Sequence, residues 1–135
     1  MEMKLRIPRK LTIIGGTLIA ASGLVNTVLG MSIHALYYDV YPGGKMGHVG
    51  IFAGIVAVIL GLLIVFVVVP LYNRQNRSYI ALGGILTVVL GHLGAVAGAI
   101  YIGTLGLLLC YIAGFWAIAL ALFKKKKKET LLDVR

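Results

Sequence analysis

Apolar residues run along this chain in long blocks, and the polar segments between them are short and mostly basic. No Asp, Glu, Lys or Arg falls within Leu11–Ile33, Met46–Tyr72 or Ser78–Phe123. A helix that crosses a bilayer needs about 20 predominantly apolar residues. The first two blocks each supply one such helix. The third is long enough for two, and Tyr101-Ile102-Gly103-Thr104 reads as a tight turn dividing it. The pattern predicts an all-α protein, an antiparallel four-helix hydrophobic bundle of transmembrane type. It forms one domain over residues 1–135: a hairpin over 11–72, a second over 78–123 and a basic tail over 124–135. SIHALYYDVYPGGKMG reads as the one long connection, with Pro42-Gly43-Gly44 as its turn signal. Tyr37, Tyr38 and Tyr41 suit a membrane interface, where ring and hydroxyl are both satisfied. Pro70, in the last turn of the second helix, is expected to kink or end it.

Small residues recur every seven positions inside the blocks. They are Gly16, Gly23 and Gly30; Gly47, Gly54 and Gly61; Gly84, Gly91 and Gly98; and Gly103, Cys110 and Ala117. A seven-residue period keeps one seam turned toward a neighbouring helix. In lipid, helices associate by close backbone approach, which small residues permit. A helical Gly costs about 1 kcal/mol relative to Ala, so close contact has to compensate. These positions are read as packing seams. They are no phosphate loop, because no Lys-Ser or Lys-Thr of a Walker motif follows them.

The same residues suggest an internal repeat. Moved by 68 positions, Gly15, Gly16, Leu18, Gly23 and Gly30 fall on Gly83, Gly84, Leu86, Gly91 and Gly98. Moved by 56 positions, Gly47 and Gly50 fall on Gly103 and Gly106. A duplicated helical hairpin, both copies in one orientation, accounts for both shifts.

Composition narrows the class further. Hydrophobic residues make up 60% and charged ones 13% of the 135 residues, against roughly 25% charged in soluble domains. The mean hydropathy is +1.00. A soluble globular domain is excluded. The first block follows Lys4, Arg6, Arg9 and Lys10 as a signal peptide would. It is longer than the apolar core of such signals, about 7–15 residues, and is read as a retained helix.

Formal net charge is +9, and four spans place almost all of it on one side. That side receives Lys4, Arg6, Arg9 and Lys10, then Arg74 and Arg77, then Lys124, Lys125, Lys126, Lys127 and Lys128. The other side receives His34, Asp39, Lys45 and His48. The excess of Lys and Arg on cytoplasmic segments predicts that both termini are cytoplasmic. Basic clusters beside a span attract anionic headgroups, at about 1 kcal/mol per residue. A one-sided basic surface is also an electrostatic footprint for nucleic-acid phosphate.

Candidate chemistry is sparse. His48 and His92 each follow a seam glycine, in GHVGIFAG and GHLGAVAG, and His34 lies near the end of the first span. An ionisable residue inside a membrane is a functional candidate by default. The alternative is a neutral imidazole bonded across a seam to a carbonyl or a Thr hydroxyl. A haem would need paired or proximal histidines, and His48 and His92 differ in depth by on the order of 10 Å along their helices. His34, His48 and Asp39 lack metal-ligand spacing, so no metal and no cofactor is expected. Cys110 reads as a packing residue and Asn26, Thr17, Thr27 and Thr87 as interhelical hydrogen bonders. With no carboxylate in any span and no nucleophilic constellation, no enzyme is expected.

As a pattern, Leu11–Ile33, Met46–Tyr72, Ser78–Ile100 and Leu105–Phe123 with basic ends resemble the major capsid proteins of spindle-shaped archaeal viruses. That resemblance implies apolar helical hairpins packed into a shell around DNA, with the basic termini on the phosphates.

The residues taken alone point to a non-enzymatic structural or assembly protein. It would be a small integral membrane subunit, or a self-assembling unit, of a larger complex. Expected partners are further copies or a larger assembly, anionic lipid and, by non-specific phosphate contacts, DNA. Its place is a membrane or a virion shell. A third class is a haem- or quinone-associated redox subunit, or a small transporter, using His92.

Replacing Lys124 to Lys128 by Gln is expected to weaken polyanion binding by the detergent-solubilised protein and to flatten its salt dependence. A binding titration across a salt series checks this; an unaltered slope would remove these lysines from the basic surface.

Overall fold

A computed structural model describes the backbone of residues 2–40, 46–74, 76–98 and 101–132, and the side chains of 5–31, 50–74, 76–97 and 102–123. The elements are α1 (Glu2–Val40), α2 (Met46–Leu63), a π-helical turn (Ile64–Val68), α3 (Val69–Asn73), α4 (Arg77–Gly98) and α5 (Tyr101–Leu132). Four stretches are long and apolar enough to cross a membrane: Leu5–Met31, Gly50–Asn73, Arg77–Ala97 and Ile102–Phe123. The described chain is all-helical, with the four apolar helices that the hydropathy pattern predicts.

Their ends depart from the expected ones. α1 continues through Ser32–Val40, a segment read above as loop. No Gly or Pro stands in that segment, so nothing interrupts the helix before Pro42-Gly43-Gly44, which lie outside the described residues along with Tyr41 and Lys45. At its other end α1 takes in Pro8, whose ring is fully buried. Tyr101-Ile102-Gly103-Thr104 is no turn but the first turn of α5. Its Gly103 is buried, continuing the row of small residues to the helix start. The basic C-terminal segment is helical to Leu132, because Lys is a good helix former.

Pro70 neither ends the second span nor leaves it regular. Proline has no N–H, and its ring crowds the carbonyl four residues back, here that of Phe66. The backbone answers with the π turn at Ile64–Val68, where the Val69 N–H reaches five residues back to the Ile64 carbonyl. The wider turn absorbs the proline, and the helix runs on to Asn73.

The helices meet through glycines. Against α2, α1 sets Gly16 beside Gly61, Gly23 beside Gly54 and Gly30 beside Gly50, so numbers rise along one helix as they fall along the other. The approach is close. A methyl group on Gly23 would stand 2.6 Å from the Gly54 carbonyl oxygen and 2.7 Å from Val58 N. One on Gly61 would stand 2.6 Å from the Gly16 carbonyl oxygen. A second row joins α1 to α5, where a methyl on Gly15 would meet Cys110 Sγ at 2.7 Å and the Gly106 carbonyl oxygen at 2.9 Å. α4 meets α5 at Gly84 and Gly114 and at Gly91 and Cys110. Mid-bundle, Ile19, Ile64 and Cys110 form the core, with Leu90 of α4 against them. Large apolar side chains point outward instead: Phe52, Phe66 and Phe123 are 71%, 72% and 71% exposed.

Gly23→Ala is expected to destabilise the bundle by about 1–3 kcal/mol through overpacking against backbone. Gly50→Ala places its methyl 3.4 Å from Gly30 Cα, an ordinary contact, and should gain up to about 1 kcal/mol of helix propensity. Denaturation in detergent separates the two; equal effects would mean that close approach does not hold α1 to α2.

Candidate functional site

Among the described residues two features carry polar chemistry: a basic end, and polar side chains within the apolar spans. The basic end is assembled by packing. Leu5 of α1 packs on a cluster of Val68, Tyr72, Ile80, Ala117 and Ala121. That cluster brings the start of α1, the α3–α4 connection and the late part of α5 to one level. Arg6, Arg9, Lys10 and Arg74 are exposed there and Arg77 is half-buried. The connection is a tight one: Asn76 Oδ1 accepts from the Ser78 backbone N–H at 3.2 Å, capping α4. The Arg74 guanidinium lies 4.9 Å from the centre of the Tyr79 ring, a cation–π contact. The side chains of Lys4 and Lys124 to Lys128 lie outside the described residues. The arrangement is a solvent-facing cationic rim, suited to phosphate-bearing surfaces generally.

Inside the bundle a hydroxyl chain links α3 to α4. The Thr87 hydroxyl donates to the Gly83 carbonyl at 2.7 Å, so the Tyr72 hydroxyl, 2.8 Å away, donates to Thr87 Oγ1. Gly83 makes room for it, since a methyl there would lie 3.0 Å from Tyr72 Cε1. The Thr12 hydroxyl of α1 is fully buried and faces the same tyrosine, and among the described residues no partner stands at full hydrogen-bond geometry to it.

The threonines correct an expectation. Thr17 and Thr27 bond within α1, to the carbonyls of Ile13 at 2.8 Å and Gly23 at 2.9 Å. The carbonyl four residues back is the nearest acceptor for a helical hydroxyl. Of these three expected bonders, Thr87 also takes a bond across helices. Asn26 Nδ2 reaches from α1 to the Ala97 carbonyl of α4 at 3.5 Å.

His92 bonds across the α4–α5 contact at its outer edge. It is exposed, and its Nδ1 lies 2.7 Å from the hydroxyl of Tyr111 on α5, in place of the carbonyl or Thr hydroxyl expected. The two rings are stacked at 6.2 Å, and Phe115 tilts against Tyr111 at 6.0 Å. The side chains of His34 and His48 lie outside the described residues, as do the surroundings of Gly47 and Gly98. Among the described residues no group of three His, Cys, Asp or Glu is placed to hold a metal ion. Cys110 is fully buried between Gly15 and Gly91, a setting that keeps thiols inert.

Sequence reasoning missed Tyr72, Thr12 and Tyr111 as polar partners, and Gly15, Gly83, Gly94, Gly106 and Gly114 as contact positions. The signal for the glycines was present: Gly106, Cys110, Ala113, Gly114, Ala117 and Ala121 make one broad small-residue face on α5, all buried. That for Tyr111 depended on where the α4–α5 connection lies. Comparison with family models, with curated proteins and with solved structures gives no match.

Tyr72→Phe removes one buried hydrogen bond and is expected to destabilise by about 1 kcal/mol. Thr12→Val replaces by a methyl a buried hydroxyl that lacks full hydrogen-bond geometry to any described residue, and should be neutral or stabilising. Thermal denaturation of both variants checks the pair; a marked loss in Thr12→Val would show that its hydroxyl has a partner.

Proposed function

We propose that this chain is a non-enzymatic structural protein, a small integral membrane subunit that packs into a larger assembly. One observation carries the reading: small residues line the helix–helix contacts at backbone distance, and large apolar side chains stand exposed on all four spans. In water such a surface would exceed by far the apolar patches that soluble monomers expose. In lipid it is the ordinary exterior, and small residues are the ordinary interface.

The bundle is antiparallel and descends from a duplicated hairpin. Opposed numbering along the α1–α2 contacts supports the first point. Contact equivalence supports the second: under the shifts of 68 and 56, the pair Gly23 and Gly54 becomes Gly91 and Cys110, which also touch. The cationic rim made by the start of α1, the α3–α4 connection and the end of α5 faces the cytoplasm against anionic headgroups. The apolar exterior left over serves lipid and neighbouring subunits.

Electron microscopy of the protein from its natural source, with and without mild detergent, tests this. Discrete particles in a detergent belt, with co-purifying chains, are expected. Regular detergent-free shells holding nucleic acid would replace the reading by a capsid protein with DNA on its basic rim. A bound pigment would replace it by a redox subunit using His92.

A further inference from the structure

The polar pair His92–Tyr111 sits on the outside of the bundle, within two spans, where lipid cannot serve it. Its surroundings are apolar. Val89 and Val96 flank His92 one turn to either side, and Leu108 and Phe115 flank Tyr111, all exposed. One hydrogen bond joins the pair, Nδ1 to the phenol oxygen. In one tautomer the phenol donates to Nδ1, leaving Nε2–H as a free donor and a phenol lone pair as a free acceptor. In the other, Nδ1–H donates to the phenol, leaving Nε2 as acceptor and the phenol O–H as donor. Either way the pair offers the outside one donor and one acceptor. Unmet in hydrocarbon, each is costly.

From this we infer that the outer face of α4 and α5 is a homodimer interface, in which His92 of each copy hydrogen-bonds Tyr111 of the other. An arrangement with one donor and one acceptor side by side is complementary to itself under a two-fold axis. With the axis along the membrane normal both copies keep the same depth, and α4 of one lies against α5 of the other. The two pairs close into a ring of four hydrogen bonds, and the flanking valine, leucine and phenylalanine side chains pack around it. Polar bonds inside a rim of apolar contact are how spans associate in lipid. The inference rests on the reading of the chain as membrane-spanning and names the partner as a second copy.

The test uses the full chain in liposomes, with dimer fraction followed by single-molecule photobleaching across protein-to-lipid ratios. His92→Phe and Tyr111→Phe keep the ring volume and lose the bonds. Each is expected to lower the association constant by about tenfold. The double variant should fall no further than either single one, because each bond between copies needs both residues. Circular dichroism of the variants should match the parent. A parent that stays monomeric at every ratio would overturn the inference, as would Tyr111→Phe pairing as well as the parent. A monomer that co-purifies with a lipid-soluble carbonyl compound lost in His92→Phe would overturn it too. Carbonate extraction separates the two readings. A chain released from membranes without detergent defeats the spanning reading and this inference with it. A chain that stays and remains monomeric defeats only the pairing.

Discussion

Helices surrounded by hydrocarbon gain almost nothing by turning apolar side chains toward one another, since the surroundings are equally apolar. Attraction has to come from packing, and packing strengthens as backbones approach. In this chain the approach is close enough that a Cβ on Gly23, Gly61 or Gly15 would run into the neighbouring backbone or thiol. The remaining structure follows from that constraint. Glycine weakens a helix, so rows of it persist only where contact returns more than the roughly 1 kcal/mol lost at each. Each row lies between two helices. The large residues buried inside, such as Ile19, Ile64 and Tyr72, sit against Gly94, Gly16 and Gly83, and many of the rest are left to the exterior.

Such a close interior leaves little room for polar groups, and their placement shows it. Thr27, half-buried against Gly54, turns back on its own helix. Thr87 does the same and still serves Tyr72, whose ring a side chain at Gly83 would crowd. The π turn before Pro70 answers the same demand in the backbone, taking the Val69 N–H to a carbonyl five residues back. At the outer edge of the α4–α5 seam, beside Gly91 and Cys110, His92 and the half-buried Tyr111 are joined by a single bond.

The cationic rim depends on the packing as well. Arg6, Arg9, Lys10, Arg74 and Arg77 are scattered through the chain, and the cluster of Leu5 with Val68, Tyr72, Ile80 and Ala121 gathers them at one end.

Hydropathy along the chain determined the number of spans, because crossing a bilayer is a matter of length and local composition, and both are properties of contiguous residues. The recurrence of Gly16, Gly23 and Gly30, and of Gly84 and Gly91, was legible for a related reason: helical periodicity alone puts them on one face. Helix ends were less so. The helix through Ser32–Val40 and the first turn at Tyr101 depend on the absence of a breaker and on burial of Gly103. Tertiary structure alone decided which face meets which neighbour. The second row through Gly15 and Gly106, the hydroxyl link from Tyr72 to Thr87, and the meeting of His92 with Tyr111 all follow from the rotation of each helix about its axis. That rotation is set by all the contacts at once, so no single segment encodes it.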